Sequence, residues 1–245
     1  MLQKDVIKMF CLPPAGCSAN VYFAWKKILA PDIQVIALEY PGHGTKLKQD
    51  LIHDVDEMAQ HLAEEIASQL ETAEPYILFG HSLGAALIWQ VQQCLQQLNL
   101  TIQLKLMVVS SRPEQAYLQH IVGKHLLDDD AFITTLKQYN HIPEQLLNHP
   151  DMLRFFLKII RHDFALSDQL LQRKMIKTEI PLLCVYADQD PDIPNAACML
   201  AWQQYSTHWQ GLMKLSGDHF YFSDPTVRDQ MLAHIRSCVG KLMRI

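Results

Sequence analysis

The chain has 245 residues, 49% of them hydrophobic and 19% charged, with a formal net charge of −5. That balance belongs to a packed globular protein and excludes a disordered one. An acidic chain with no dense Lys/Arg stripe is also not built to hold nucleic acid. The length suits one α/β domain, residues 1–245, with a modest insertion. Six cysteines are scattered without a C-x-x-C pair, so they read as small buried hydrophobes in a reducing compartment. Met1 to Asp5 lead straight into an apolar run without a signal-peptide core, and no run approaches membrane-spanning length. The expectation is a cytoplasmic protein with no membrane partner and a monomeric state.

Short apolar runs alternate with helical patterns along the chain. Val6 to Leu12 reads as a strand, Val21 to Leu29 as a helix and Ile33 to Leu38 as a second strand. Val55 to Leu70 follows as a helix, Tyr76 to Phe79 as a short buried strand and Leu83 to Leu98 as a helix. After the strand Leu104 to Ser110 the alternation stops, and from about residue 114 to residue 177 there are only amphipathic helical pieces. It resumes with the strand Leu182 to Tyr186, the helix Pro194 to Tyr205, the strand Gly211 to Leu215 and the helix Pro225 to Leu242. Pro194 and Pro225 suit first-turn positions. This order predicts a mostly parallel sheet with helices on both faces. The interruption at 114–177 is then a helical insertion that would lie over the strand ends. Asp128, Asp129 and Asp130 open one of its helices, where an N-cap and a match to the helix dipole explain them better than a metal ion.

Phe79-Gly80-His81-Ser82-Leu83-Gly84-Ala85 is a G-x-S-x-G pattern between a strand and a helix. A serine hydroxyl is a weak nucleophile, so a serine enzyme exposes it on a tight turn beside a base. Gly80 and Gly84 permit that turn, since a side chain at either place would meet neighbouring backbone. In the α/β-hydrolase order an acid and then a histidine follow the serine. The loop Ala187 to Asp192 after one strand offers Asp190, with Asp188 and Asp192 as competitors. The loop after the last strand offers His219. His81 lies inside the turn and reads as structural. An oxyanion needs preformed N–H donors. Leu83, which follows the serine, supplies one; Pro13 and Pro14 have no N–H, so Ala15 is the first donor available in the loop after the first strand. Cys17 has no evident partner and reads as packing. No metal or cofactor is called for.

The chain as a whole resembles the type II thioesterases, the stand-alone editing enzymes of nonribosomal peptide and polyketide synthesis. The resemblance rests on Phe10 to Gly16, Tyr40 to Gly44, Pro75 to Ala85 and Ser110 to Pro113, in that order. It continues through Leu127 to Phe132, Arg161 to Phe164, Asp190-Pro191 and Gly217 to Phe220. It implies an α/β-hydrolase fold with a helical lid, a triad of Ser82, Asp190 and His219, and oxyanion donors at Ala15 and Leu83. It also implies a substrate: an acyl thioester on the phosphopantetheine arm of an acyl or peptidyl carrier protein. The chain departs from the family at His43, where arginine is usual, at Cys17, where a second glycine is usual, and at Ala187, where glycine is usual.

Within the lid, Met152, Phe155, Phe156, Leu157, Ile159 and Ile160 are too apolar for a solvated helix, while Arg154, Lys158, Arg161, Arg173, Lys174 and Lys177 punctuate the region. This suggests an acyl chamber lined by Phe155, Phe156, Ile159 and Phe220 under a basic exterior that meets an acidic carrier protein. Two other readings stay open: a general esterase or lipase, and a non-catalytic binding protein on the same fold.

Overall fold

A computed structural model describes residues 6–71, 73–118, 123–139 and 148–243. Its centre is a six-stranded sheet in the order β2-β1-β3-β4-β5-β6. The strands are β1 (Ile7–Leu12), β2 (Ile33–Ala37), β3 (Tyr76–His81), β4 (Leu104–Ser110), β5 (Leu182–Ala187) and β6 (Trp209–Leu215). Every adjacent pair is parallel, which requires a crossover between successive strands and so covers both faces with helices.

The period of two along each strand divides the core. Phe10 and Leu12 of β1, Leu78 of β3 and Met107 and Val109 of β4 face one side, where they pack with α2 (Val55–Ser68) and α3 (Leu83–Gln97). Met9, Cys11, Ile77, Phe79, Leu106 and Val108 face the other, against α1 (Phe23–Leu29) and the closing helix Pro225–Leu242. All six residues of β3 and of β5 are buried, which is why these strands read as unbroken apolar runs.

Most element boundaries fall within a residue or two of the sequence reading, and two differ in kind. The first helix begins as a 3-10 turn, Ala19–Tyr22, because the Ser18 hydroxyl accepts from the Asn20 N–H before α1 starts. The stretch from Pro194 to Tyr205 is not one helix: a short α helix, Ala197–Leu200, passes directly into a 3-10 segment, Ala201–Tyr205. Asn195 Oδ1 accepts from the Ala197 N–H at 2.9 Å in a turn that precedes the helix, whose N-cap is Ala196, so Pro194 lies outside the first turn.

Between β4 and β5 lie α4 (Asp129–Gln138) and α5 (Pro150–Leu170). Asp128 caps α4 through the Ala131 N–H at 2.8 Å, with Asp129 and Asp130 in the first turn. Phe132, Leu136, Leu157 and Ile160 form a small apolar cluster between the two helices. The parts of the expected lid at 119–122 and 140–147 lie outside the described residues. Among the described residues no helix is long and apolar enough to cross a membrane. All six cysteines are unpaired. The two helices after those already labelled are α6 (Ala197–Leu200), within the mixed segment above, and α7 (Pro225–Leu242), which closes the fold.

Candidate functional site

The strand order reverses between β1 and β3, and in open parallel sheets ligands bind outside the carboxyl ends at such a point. Leu12 at the end of β1 is paired with Gly80 near the end of β3, so the loops that follow them meet there. Ser82 sits on the turn out of β3 with φ +53° and ψ −112°, a region that L residues rarely adopt. The turn is held by the Ser82 N–H donating to Ser110 O at 2.9 Å. It also needs two bare α-carbons. A Cβ on Gly80 would lie 2.2 Å from Gly84 O, and one on Gly84 would lie 2.2 Å from Leu12 O. The second contact measures how closely α3 approaches β1.

Leu83 is the first residue of α3, so its N–H has no intrahelical acceptor. The loop after β1 is tied from several sides. Tyr22 donates its hydroxyl to Leu12 O and Tyr40 to Pro13 O, both at 2.8 Å, and the Cys17 N–H closes a turn onto Pro14 O at 3.2 Å. Ala15, in that turn, lines the same cavity as Ser82 and Leu83. Cys17 is a poor nucleophile, because burial, with the charges of Asp163 and Glu39 behind it, pushes its thiol pKa up to about 12.

The loops after β5 and β6 are zipped together. Asp188 N–H donates to Leu215 O at 3.0 Å and Gln189 N–H to Gly217 O at 2.9 Å, which extends the β5–β6 pairing past the strands. That places Asp190 Oδ2 2.8 Å from His219 Nδ1, with both residues 4% exposed. Burial works against the imidazolium, but the charge and hydrogen bond of Asp190, with Asp192 beyond, outweigh it and hold the His219 pKa above its usual value. With Nδ1 so engaged, Nε2 is the ring nitrogen left for proton transfer.

The competing carboxylates have other partners. Asp188 supports the loop, accepting weakly from the Gly217 N–H at 3.4 Å, and lies 3.5 Å from Lys214 on the surface. Asp192 accepts from the Tyr139 hydroxyl at 2.7 Å and from Lys124 at 3.2 Å. Asp190, Asp192 and His219 also form a grouping dense enough to hold a metal ion. The Lys124 ammonium beside Asp192 and the His219–Asp190 bond already satisfy these groups, and a nearby cation opposes a second one.

His81 is fully buried, with Nδ1 2.8 Å from Ser110 Oγ, which in turn is 2.6 Å from the Tyr221 hydroxyl. Burial, with the neighbouring His219 charge, drives its pKa well below the usual value, so it stays neutral. The chain of contacts from His81 to Tyr221 steadies the turn that carries His219.

Ser82, Leu83, Ala15 and His219 share a cavity with Phe220. The expected chamber residues Phe155, Phe156 and Ile159 do not line it. Phe155 is 52% exposed, while Phe156 packs with Ile159's neighbour Ile160 in the α4–α5 cluster. The α5 residues that do reach the cavity, Phe164, Ser167 and Asp168, lie one to three turns further on. The apolar pattern marked a buried helix face but not which neighbour covered each turn. Arg112, Lys124 and Tyr139 are lining residues that sequence reasoning missed. Only Arg112 carried a signal, in its position two residues past the end of β4. Burial outweighs the pull of Asp192, Asp168 and Tyr139 and lowers the Arg112 pKa to about 10, and its guanidinium donates to Ser167 Oγ at 2.7 Å. The basic exterior is also thinner than expected: Arg161 is engaged with Asp129 at 2.7 Å and Arg173 with Asp56 at 2.8 Å.

Comparison with known proteins agrees with this architecture. The profile of the family described as "Thioesterase domain" matches residues 7–238. Thioesterase PikA5 of Streptomyces venezuelae is 27% identical over 226 residues, which cover 90% of this chain and 77% of that protein. The probable anguibactin biosynthesis thioesterase AngT of Vibrio anguillarum is 23% identical over 227 residues, covering 90% and 87%. Among solved structures, the type II thioesterase BorB from the borrelidin biosynthetic cluster aligns with a TM-score of 0.81 at 27% identity, covering 97% of this chain and 94% of that one. ClbQ from the colibactin pathway aligns with a TM-score of 0.84 at 23% identity, covering 98% and 99%, a likeness of fold. The chain, matched by the family profile over nearly its whole length, belongs to the thioesterase domain family.

Proposed function

We propose that this protein is a type II thioesterase that hydrolyses acyl groups from the phosphopantetheine arm of carrier proteins in nonribosomal peptide or polyketide synthesis. Ser82, Asp190 and His219 act as its triad and no cofactor takes part. The observation that carries the reading is the meeting of Ser82, on its positive-φ turn, with the Asp190-bonded His219 in the wall of one cavity. His219 Nε2 takes the Ser82 proton as Oγ attacks the thioester carbonyl, and Asp190 steadies the imidazolium. The N–H groups of Ala15 and Leu83 stabilise the oxyanion. Collapse expels the pantetheine thiol with the proton from His219 and leaves an acyl-Ser82. Water, activated by His219, then releases the free acid.

The names of PikA5, AngT and BorB, all thioesterases, support the thioester reading, and unpaired cysteines suit a reducing cytoplasm. The outer face of α5 is the docking surface for the carrier: Met152 and Phe155 are exposed there beside Arg154 and Lys158, a pairing that suits an acidic partner. Charge reversal at Arg154 and Lys158 then raises KM for carrier-bound substrate but not for free acyl-pantetheine.

The deciding experiment is intact-mass spectrometry of acylated carrier protein incubated with wild type and with Ser82→Ala. Loss of the acyl mass with the wild type alone, leaving the pantetheine arm in place, supports the proposal. Retention of the acyl group alongside active ester cleavage makes the protein a general esterase, and inertness in both assays makes it a binding protein.

A further inference from the structure

Asp163, in α5, is fully buried yet lies outside the wall of the Ser82 cavity. A buried carboxylate is tolerated only when its oxygens are matched by donors, and here they are. Oδ2 accepts the Gly16 N–H at 2.7 Å and faces His43 Nε2 at 2.9 Å, while Oδ1 faces His162 Nδ1 at 3.1 Å. His43 is 3% exposed, and its other ring nitrogen lies 3.1 Å from Pro41 O. Both of its nitrogens therefore meet acceptors, which calls for two N–H groups and hence an imidazolium. The pKa directions agree. At His43 the Asp163 bond and charge outweigh burial and raise the value. At Asp163 the bonds from His162, His43 and Gly16 outweigh burial and lower it. His162 is anchored in turn, with Nε2 2.9 Å from Ile52 O.

The Gly16 N–H belongs to the peptide that joins it to Ala15. Ala15 and Gly16 are the two central residues of the turn closed by Cys17 N–H to Pro14 O, with Gly16 at φ +70°. In such a turn the central peptide can face either way, and the side it faces separates the turn types. An acceptor on the Gly16 N–H selects one orientation and so fixes Ala15 between Pro14 and that peptide. We infer that Asp163, gripped by His43 and His162, is a positioning residue that holds the oxyanion loop in register and ties it to the lid helix. The inference rests on Ala15 being an oxyanion donor, as in the function proposed above. Asp163 touches no reacting atom. Its carboxylate acts through Gly16, and α5, which carries it, also supplies Phe164 and Ser167 to the cavity wall.

The test compares D163A and D163N with wild type on an acyl-pantetheine thioester. Asparagine can keep the Gly16 bond, with its carbonyl in the place of Oδ2 and its amide turned to His162. Alanine cannot. Losing an oxyanion donor outright lowers kcat by about 10²–10³-fold, so a displaced one is expected to lower the kcat of D163A by roughly 10- to 100-fold. KM stays within about twofold, and D163N recovers most of the loss. A folded D163A with wild-type kcat overturns the inference, because a purely structural role moves stability and leaves kcat alone. Should D163A not fold, spectra of 15N-glycine-labelled wild type decide the matter: a Gly16 amide protected from exchange is expected, and a freely exchanging one overturns it. Wild type that cleaves no thioester would instead sink the proposed function, which is a separate outcome.

Discussion

Changing Asp190 to Asn keeps the size of the side chain and removes the charge that faces His219 Nδ1 at 2.8 Å. Two effects then act together. The imidazolium formed during attack loses its counter-ion: at about 4 Å between charges and an effective dielectric near 20, that interaction is about 4 kcal/mol. With about 1.36 kcal/mol per decade, this is nearly three decades in rate. The amide also offers His219 an N–H as readily as a carbonyl, which favours the unproductive tautomer; in the serine proteases the corresponding change costs about 10⁴ in kcat. Asp192 remains close by and softens the loss, so kcat for D190N is expected to fall about 10³- to 10⁴-fold. Asp192 serves as the internal comparison. Its carboxylate is held by Tyr139 and Lys124, so D192N should lower kcat by no more than about tenfold, with the larger change in KM because Asp192 lines the cavity. Thiol release from acyl-pantetheine, followed with a thiol reagent, measures both variants. A D190N enzyme retaining a tenth of wild-type kcat, or a D192N enzyme worse than D190N, would refute the assignment and move the acid role to Asp192.

Three further outcomes are expected. Ser82→Gly should abolish hydrolysis and also stabilise the fold by about 1 kcal/mol relative to Ser82→Ala, since the positive φ of 53° strains any residue with a Cβ; equal urea midpoints for the two variants would contradict that strain. Because His219 must be neutral to act as a base and its pKa lies above 6.5, kcat/KM should rise with pH through a limb above 6.5 that moves down in D190N; a wild-type limb at or below 6.5 counts against this. Arg112 stands between the Ser82 cavity and a second one lined by Ala86, Trp89, Leu170 and Trp202; Arg112→Leu should join two apolar spaces and raise the ratio of long-chain to short-chain kcat/KM about tenfold, and an unchanged ratio shows that the guanidinium is no divider.

How much of this could be read from the sequence depends on whether the signal was local. The strands β3 and β5 announce themselves because both faces are covered, which makes Tyr76 to Phe79 and Leu182 to Ala187 continuous apolar runs. The turn at Ser82 announces itself because Gly80 and Gly84 each face backbone at 2.2 Å, a clash that no other residue type avoids. Asp190 and His219 stand out less by composition than by place, at the ends of strands whose order was already legible. The stretch from Pro194 to Tyr205 misled because its helical spacing is genuine, while a turn in which Asn195 accepts from the Ala197 N–H delays the start and the last turns tighten to 3-10 geometry.

The cavity wall was the hardest part to read, since it has no periodicity of its own. Leu118, Tyr139, Phe164 and Phe220 come from separate elements and meet only once α4 and α5 have docked over the strand ends. The same docking explains why the hydrophobic face of α5 was recognised and its task misjudged. A 21-residue helix presents different neighbours at each turn: Leu157 and Ile160 meet α4, Asp163 meets the Gly16 loop and Ser167 meets Arg112. One stripe of sequence thus serves three surfaces. The polar residues within it carry the specific information: an aspartate on a buried face is costly unless something across the interface needs it, and for Asp163 that something is the backbone beside Ala15.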